Sequence, residues 1–399
     1  MSGSHPVIAR PRLHARATSV LDARVTLLVA PPGSGKSVLL EQWIGDLGAL
    51  AGVVRLDLAF EHNDAERFQA ALFGAARSEM PTLHDGSGGI EPTVLDDFAA
   101  AVARRRRPDL PIVFVLDRFE RIVDPIIPTT MLAALGVLGD QVRVLISSRT
   151  LPGMMLTQFR ASGALQQLGM GELSLTRSEL RALAAAHGAD DHAAVDRLGR
   201  FTLGWPVAAS LLLRERQAGA AVLAEYFEDE VLAGLSRGER ALAEEVAVLD
   251  LITIEQVERV IGPEAAATIA ELASLRGIHL PLLPADPSDG LHYPPVFKQY
   301  LLAGLERRDP ARRRHLAQRA RRLAGEGAEL SRREIEVLQL LGRGRTAQQV
   351  AGDLSISFHT AKTHIRSIYV KLGVSTRVLA LQRARELGVV TDAHEEPVS

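Results

Sequence analysis

The sequence contains no cysteine, and only 4% of its residues are aromatic. Without cysteine the chain has no disulfide framework and no thiolate metal site. Its apolar runs are short: residues 110–116 fall far below the ~20 residues of a membrane helix, and residues 1–12 lack the apolar core of a signal peptide. We therefore expect a cytoplasmic protein with no membrane partner.

The charge is nearly balanced, at −2 over 399 residues, so its distribution carries the information. Residues 329–390 hold ten Lys and Arg against five Asp and Glu, which makes this one segment strongly basic. The residues after it are acidic. A concentrated basic segment is typical of a nucleic-acid contact, although basic helix faces are more often only solvated.

Helix boundaries can be predicted within this basic segment. Ser331 and Glu334 have the spacing of a capping box, and Thr346 with Gln349 repeats it, so a helix begins after each. A third helix follows Ser357, and a fourth covers residues 375–387. A short helix, a tight turn and a third helix with a basic outer face predict a helix-turn-helix.

The residues of this segment resemble the DNA-binding domain of LuxR-family regulators. The resemblance rests on residues 330–341, residues 356–374 and Arg377; a mild departure is Ala361, where the family usually has Val. It implies double-stranded DNA as a partner, bound by a homo-oligomer. It also implies base contacts by Lys362, Thr363 and Arg366, and phosphate contacts by Thr360, Tyr369 and Lys371.

A nucleotide-binding loop is predicted near the N-terminus. The apolar run at residues 25–30 leads through Pro-Pro-Gly-Ser-Gly-Lys-Ser into residues with helical periodicity. This is a P-loop in which Ala30 replaces the first glycine. Phosphates are expected to contact Gly33, Ser34, Gly35 and Lys36, with Ser37 as a Mg²⁺ ligand.

Two later apolar runs predict further strands of a parallel sheet. Residues 111–117 end in Asp117, the acid expected to reach the Mg²⁺ ion. Residues 142–149 end in Arg149, at the edge where ligands lie in parallel sheets. Arg149 is a candidate for contact with the γ-phosphate, and a surface arginine at the start of a loop is an equal alternative.

These motifs also resemble the ATP-binding half of the large, maltose-activator-like LuxR regulators of the STAND ATPase class. The similarity covers roughly residues 8–320, and it is carried by residues 10–13, the P-loop, 116–117, 148–149, 204–206 and 293–297. It implies ATP or ADP with Mg²⁺, a helical domain with Pro206 near the adenine or ribose, and a winged helix. RNA polymerase is a further candidate partner, and the nucleoid is the expected location.

The chain departs from this family at three places. Arg118 stands where a second acid is usual, so Glu120 becomes the candidate catalytic acid beside Asp117, and hydrolysis is expected to be slow at most. Pro294 replaces a histidine, and His292 is expected to be exposed to solvent. The helical-repeat sensor expected between residues 322 and 330 is missing.

The sequence thus predicts an α/β P-loop domain, all-α helical and winged-helix modules, and a LuxR-type helix-turn-helix. The expected divisions are an arm (1–22), the P-loop domain (23–175), the helical domain (176–229), the winged helix (230–322), a linker (323–329), the DNA-binding domain (330–390) and an acidic tail (391–399). The expected function is a transcriptional regulator controlled by nucleotide. The alternatives are a P-loop ATPase that its helix-turn-helix only localises, or a nucleotide-independent regulator with a decayed P-loop domain.

Overall fold

The structure is a computed structural model. The chain is divided into two compact units. The structure describes residues 7–81, 99–152, 156–189, 191–215, 218–275, 280–284, 290–326, 330–354, 356–372, 374 and 376–386. One unit contains residues 1–231 and 273–281, and the other contains residues 232–272 and 282–399. The predicted acidic tail at 391–399 lies outside the described residues.

The first unit is built on a five-stranded sheet in the order β2-β3-β4-β1-β5. Its strands are β1 (Val25–Val29), β2 (Gly52–Asp57), β3 (Ile112–Asp117), β4 (Val142–Ser148) and β5 (Leu165–Leu168). Every pairing is parallel. The three predicted strands are therefore confirmed, and β2 and β5 add the two edges. The order places β4 between the P-loop strand β1 and the strand that ends in Asp117.

Helices cover this sheet and hold its core. They are α1 (Pro11–His14), α2 (Ser19–Asp22), α3 (Lys36–Leu47), α4 (Ala65–Ala76), α5 (residues 99–103), α6 (Ile126–Val137), α7 (Thr157–Ala161) and α8 (Met170–Leu173). Helix α3 buries Leu39, Leu40, Trp43 and Leu47, and the Trp43 indole N–H donates to the carbonyl of Leu13 at 2.8 Å. This contact ties the N-terminal residues to the helix that follows the P-loop.

A helical segment follows the sheet and ends the first unit. It comprises α9 (Arg177–Ala186), α10 (His192–Thr202), α11 (Pro206–Arg214), α12 (Gly219–Tyr226) and a turn of π-helix (Phe227–Leu232). Thr176 and Glu179 form a capping box at the start of α9. Pro206 occupies the first turn of α11, where its missing N–H costs no hydrogen bond.

The second unit contains the remaining elements. They are α13 (Arg237–Val246), α14 (Ile254–Val260), α15 (Pro263–Leu275), β6 (Leu283–Pro284), β7 (Leu291–His292), α16 (Pro295–Arg308) and α17 (Pro310–Glu326). The last three residues of α15 are assigned to the first unit. Strands β6 and β7 pair antiparallel, and Ile252 bridges to Leu291 beside them. Helix α17 continues through the first part of the expected linker, to Glu326. No helix in the described part of the chain is long and apolar enough to cross a membrane.

Four helices complete the second unit at the positions expected from the caps: α18 (Arg332–Gly342), α19 (Ala347–Asp353), α20 (Phe358–Leu372) and α21 (Arg377–Glu386). Both predicted capping boxes are present. The apolar residues of α20 expected to face the core are buried, namely Ala361, Ile365, Ile368 and Leu372. The helix-turn-helix geometry predicted from sequence is confirmed.

Candidate functional sites

The loop between β1 and α3 has the backbone shape that the P-loop pattern predicts. Gly33 and Gly35 adopt left-handed φ angles of 71° and 84°, which side chains disfavour. Gly35 is the N-cap residue of α3, and no side chain caps this helix. The Ser34 hydroxyl donates to the carbonyl of Pro31 at 2.8 Å. The loop is thus shaped by its own backbone, with the positive end of α3 at its mouth.

The space around the two glycines differs. A Cβ atom at Gly33 would lie 2.1 Å from Val207 and 2.7 Å from the Tyr226 hydroxyl, so that side of the loop is packed. At Gly35 the nearest atoms are a guanidinium nitrogen of Arg10 at 3.7 Å and Pro206 at 4.0 Å. The side of the loop at Gly35, called the Gly35 space below, is therefore less tightly packed than the side at Gly33, and Pro206 lies beside it.

Lys36 is held at the centre of the loop. Its ammonium donates to the carbonyls of Ala30 at 2.5 Å and Pro31 at 3.1 Å. Burial lowers the pKa of Lys36 to about 8, although the Glu120 carboxylate opposes the shift. A partly dehydrated ammonium that donates to neutral carbonyls gains from the approach of an anion.

The expected acids and Arg149 come together at the carboxyl ends of β3 and β4. Asp117 is 2% exposed. Arg149 Nε lies 3.3 Å from Glu120 Oε1, and the Arg149 backbone N–H donates to Glu120 Oε2 at 3.0 Å. Arg118 has a left-handed φ of 60°, and this turn after β3 is what brings Glu120 beside Arg149. The Arg149 guanidinium thus pairs with a carboxylate at this edge, and its contact with a phosphate stays a prediction.

The segment after α10 packs directly on the P-loop. The Trp205 indole N–H donates to the carbonyl of Pro32 at 3.1 Å, and the Val207 N–H donates to the carbonyl of Gly33 at 3.1 Å. Trp205 in turn stacks on Phe227, with ring centroids 5.5 Å apart. These bonds fix Pro206 next to the loop.

Three residues at this site were not assigned a role from the sequence. Arg10 is buried, and its guanidinium donates to the carbonyl of Leu173 at 2.5 Å beside the Gly35 space. Tyr226 and Glu230 reach the site from the end of the helical segment. Arg10 belongs to a quoted motif, whereas nothing in the local pattern of 226–230 indicates a contact with a loop almost 200 residues earlier.

These residues fit a nucleoside phosphate with Mg²⁺. The Gly35 space is lined by Arg10 and lies beside Lys36, while Ser37 is exposed on the first turn of α3 and Asp117 lies at the end of β3. The described residues contain no group of three or more His, Asp or Glu arranged to hold a metal. A cation here would need phosphate oxygens and water as additional ligands, which suits Mg²⁺.

One expectation in the winged-helix region is wrong. His292 is partly buried on β7 and not solvent-exposed, and its Nδ1 atom has no hydrogen-bond partner. Burial lowers the pKa of His292 to about 4, with a further contribution from Lys298. The ring is uncharged at neutral pH, because the short β6–β7 pair turns it toward the interior.

Four of the six expected DNA contacts lie on the outward face of α20, the third helix of the C-terminal domain. Thr363 and Arg366 are exposed, and the Lys362 ammonium lies 5.5 Å from the ring centre of the exposed Phe358. The Thr360 hydroxyl lies 2.8 Å from that of Ser357 at the start of the helix. These side chains lie on the face away from the core.

The other two expected DNA contacts lie elsewhere on the domain. Tyr369 is 3% exposed and belongs to the apolar core. The Lys371 ammonium donates to Glu334 Oε2 at 2.6 Å. Tyr369 therefore packs in the core, and Lys371 connects α20 to α18 through its hydrogen bond. The outward face of α20 consists mainly of residues near positions 360–366.

Comparison with known proteins identifies two domains in the C-terminal half of the chain. Residues 328–384 match the profile of the luxR family of bacterial regulatory proteins. Residues 228–313 match the MalT winged helix domain. The second match begins within the π-helical turn that ends the first unit.

Relatives extend the similarity to the first unit. HTH-type transcriptional regulator MalT of Cronobacter sakazakii is 26% identical over 320 residues, 74% of this chain and 35% of the relative. MalT of Yersinia pestis is 24% identical over 318 residues, with the same coverage. The chain spans about a third of the length of these relatives.

Two solved structures also align with the chain. One is a STAND signal-transduction ATPase with a tetratricopeptide repeat sensor from Pyrococcus horikoshii, with a TM-score of 0.38 and 13% identity; the alignment covers 96% of this chain and 56% of that one. The other is Cdc6p from Pyrobaculum aerophilum, with a TM-score of 0.36 and 14% identity; the alignment covers 77% of this chain and 97% of that one. The profile matches and the MalT similarity agree with the described helices. The chain is homologous to MalT regulators and carries a luxR-family DNA-binding domain after a MalT-type winged helix.

Proposed function

We propose that the chain is a sequence-specific DNA-binding transcriptional regulator controlled by ATP or ADP at its P-loop. The observation that carries the proposal is the outward face of α20, where Thr363 and Arg366 are exposed in a domain that matches the luxR family. An exposed arginine on a helix of this kind can donate two hydrogen bonds to a guanine edge in the major groove. Lys362 and Thr363 would complete the base contacts.

Contacts to the DNA backbone would position this helix. Thr360 lies at the start of α20, where hydroxyl and backbone N–H groups suit a phosphate. Tyr369 and Lys371 are assigned phosphate contacts only by the family resemblance; Tyr369 is buried, and Lys371 donates to Glu334. Two copies bound to a two-fold site would pair their domains, with RNA polymerase as the further partner and the nucleoid as the location.

The nucleotide would act chiefly as a ligand. Lys36 and Arg10 supply positive charge for the phosphates, and Ser37 and Asp117 would hold Mg²⁺, which neutralises phosphate charge when bound. Arg149 would contact the terminal phosphate, and Pro206 would lie against the base or sugar. Occupancy by ATP or ADP would shift the population between two states of the chain.

A P-loop ATPase localised by its DNA-binding domain is the second candidate, and Glu120 is the observation that favours it. The Glu120 carboxylate lies near Lys36 and beside Arg149. Both of its oxygens, however, face donors of Arg149, so it is poorly placed to accept a proton from water. A decayed P-loop domain is disfavoured by the two left-handed glycines and the buried Asp117.

The DNA part of the proposal is tested with Arg366→Ala and Lys362→Ala. A binding site is first selected from a random duplex library with the whole chain. We expect each variant to lose about 1–3 kcal/mol of binding free energy on that site, with a smaller loss on nonspecific DNA. Arg383→Ala is the matched control, because Arg383 pairs with Glu386 on α21. Parent-like affinity of both variants would reject α20 as the reading helix.

The nucleotide part is tested with Lys36→Met. Calorimetry with MgATP and MgADP should show binding to the parent chain and a loss of at least about tenfold in affinity in the variant, because a charge-assisted contact to phosphate is removed. The variant should still bind the selected DNA. Absence of ATP binding to the parent, or undiminished binding to Lys36→Met, would refute nucleotide control.

A further inference from the structure

The last residue of α12 and the π-helical turn that follows it contact the proposed nucleotide site at two points. Tyr226 places its hydroxyl against the P-loop at Gly33. Four residues later, Glu230 Oε2 accepts a hydrogen bond from Arg149 Nη2 at 2.9 Å, and the Glu230 backbone carbonyl lies 3.3 Å from Arg149 Nη1. One short segment is therefore connected to both the loop and the end of β4.

The two connections differ in kind. The Tyr226 end is anchored by packing, because Phe227 is 1% exposed and stacks on Trp205. The Glu230 end is an ion pair in contact with solvent, with side chains 39% and 47% exposed for Arg149 and Glu230. Exposed ion pairs contribute little to stability and exchange easily for another partner. The Glu230 end is the replaceable one.

The guanidinium of Arg149 faces two carboxylates. Glu120 lies on one side at 3.3 Å and Glu230 on the other at 2.9 Å. Glu120 is the less exposed partner, and it is also fixed by the Arg149 backbone N–H. A third anion that needs the guanidinium would therefore displace Glu230 before Glu120, because Glu230 is more exposed and lacks the backbone hydrogen bond that holds Glu120.

We propose that Glu230 is a positioning residue that competes with the terminal phosphate of ATP for Arg149, so that the Arg149–Glu230 pair is kept with ADP and broken with ATP. This inference rests on the proposed nucleotide function and adds the residue that couples it to the rest of the chain. Glu230 lies within the π-helical turn, a geometry with weak hydrogen bonds that often marks functional sites. Breaking the pair releases the turn at the residues where the winged-helix match begins.

The first test is the ratio of ATP to ADP affinity in Glu230→Gln, measured by calorimetry on the whole chain. Removing the competitor should raise ATP affinity about two- to fivefold and leave ADP affinity unchanged. Asp229→Asn is the matched control, since it removes one negative charge from an exposed neighbour on the same turn. A parent-like ratio in Glu230→Gln, or the same change in Asp229→Asn, would overturn the inference.

Coupling between the two residues gives a second test. In an Arg149→Ala background the gain from Glu230→Gln should vanish, because the two changes act on one interaction. Hydrogen exchange supplies a readout apart from affinity: in the parent chain, ATP should speed exchange at residues 227–232 relative to ADP. If the effects of the two substitutions on ATP affinity simply add, or if hydrogen exchange at residues 227–232 is equal with ATP and ADP, the proposed competition for Arg149 is wrong. Failure of the parent chain to bind either nucleotide would instead reject the proposed function itself.

Discussion

Glu334 is the most strongly held carboxylate of the DNA-binding domain. It is 3% exposed, accepts from the Lys371 ammonium at 2.6 Å, and also bonds the Ser367 hydroxyl and the Ser331 N–H. Burial alone would raise its pKa, but these hydrogen bonds outweigh burial and hold the pKa of Glu334 at about 2. One residue thus caps α18 and joins it to α20.

Acid stability tests this role. Because the folded pKa lies below the unfolded value, the contribution of Glu334 is complete above pH 4.5 and is lost as the pH falls toward 2. The shift corresponds to about 3 kcal/mol. Glu334→Gln should lower protection from hydrogen exchange in residues 331–372 at pH 6 and flatten its pH dependence below 4.5. Equal protection in parent and variant at pH 6 would contradict the assignment.

At the residue scale, the sequence predicted which groups form the P-loop but not which acid stands beside Arg149. The identities of Lys36, Ser37 and Asp117 follow from a local pattern, because strand, loop and helix are contiguous. The position of Glu120 depends on the left-handed turn at Arg118, and an arginine gives no signal for such a turn. Likewise, the partners of Tyr369 and Lys371 depend on the packing of α20 against α18.

At the element scale, two arginines, Arg308 on α16 and Arg312 on α17, pair with acids of another helix. Arg312 forms two hydrogen bonds with Glu245, at 3.0 and 2.9 Å, and Arg308 bonds Glu244 at 2.9 Å. Both acids lie on α13. These pairs join α16 and α17 to α13 within the second unit.

The variant Arg312→Ala tests whether Arg312 stabilises the fold or contacts a DNA phosphate. We expect a loss of about 1 kcal/mol in stability, since a bidentate pair to a mostly buried acid is removed, and an unchanged dependence of DNA affinity on salt. A phosphate contact would instead reduce the salt slope by about one unit. Arg322→Ala, at an exposed position on α17, is the control for stability. A reduced slope in Arg312→Ala would instead show that Arg312 contacts a DNA phosphate.

Elements with strong local patterns were predictable, and edge elements were not. The capping boxes at Ser331 and Thr346 located two helices, and continuous apolar runs located β1, β3 and β4, which are buried on both faces. Strands β2 and β5 form the two edges of the sheet. Their half-exposed sequences, such as Leu-Gln-Gln-Leu at 165–168, carry no such run, and they become strands because a buried neighbour offers hydrogen bonds.

At the scale of the whole molecule, strand order brings the residues of the proposed nucleotide site together. Because β4 lies between β1 and β3, the ends of three strands that are distant in sequence meet at one edge. Contacts from the helical segment then close over the loop, through Trp205 and Val207. Sequence spacing alone contains no information on this order, so the positions of Tyr226 and Glu230 at the site could not be predicted.

The slow hydrolysis expected from Arg118 follows from the whole site and not from one substitution. Glu120 is present, but both of its oxygens face Arg149, so no described acid near the P-loop is clearly placed to orient water. We expect single-turnover hydrolysis of MgATP well below ~1 s⁻¹, with or without the selected DNA.

Lys36→Met gives the background rate, and Glu120→Gln should leave the parent's rate within about threefold, because the carboxylate is not acting as a base. Turnover faster than 1 s⁻¹ without any partner, abolished by Glu120→Gln, would favour the ATPase candidate, since it would mean that Arg149 leaves Glu120 when ATP binds.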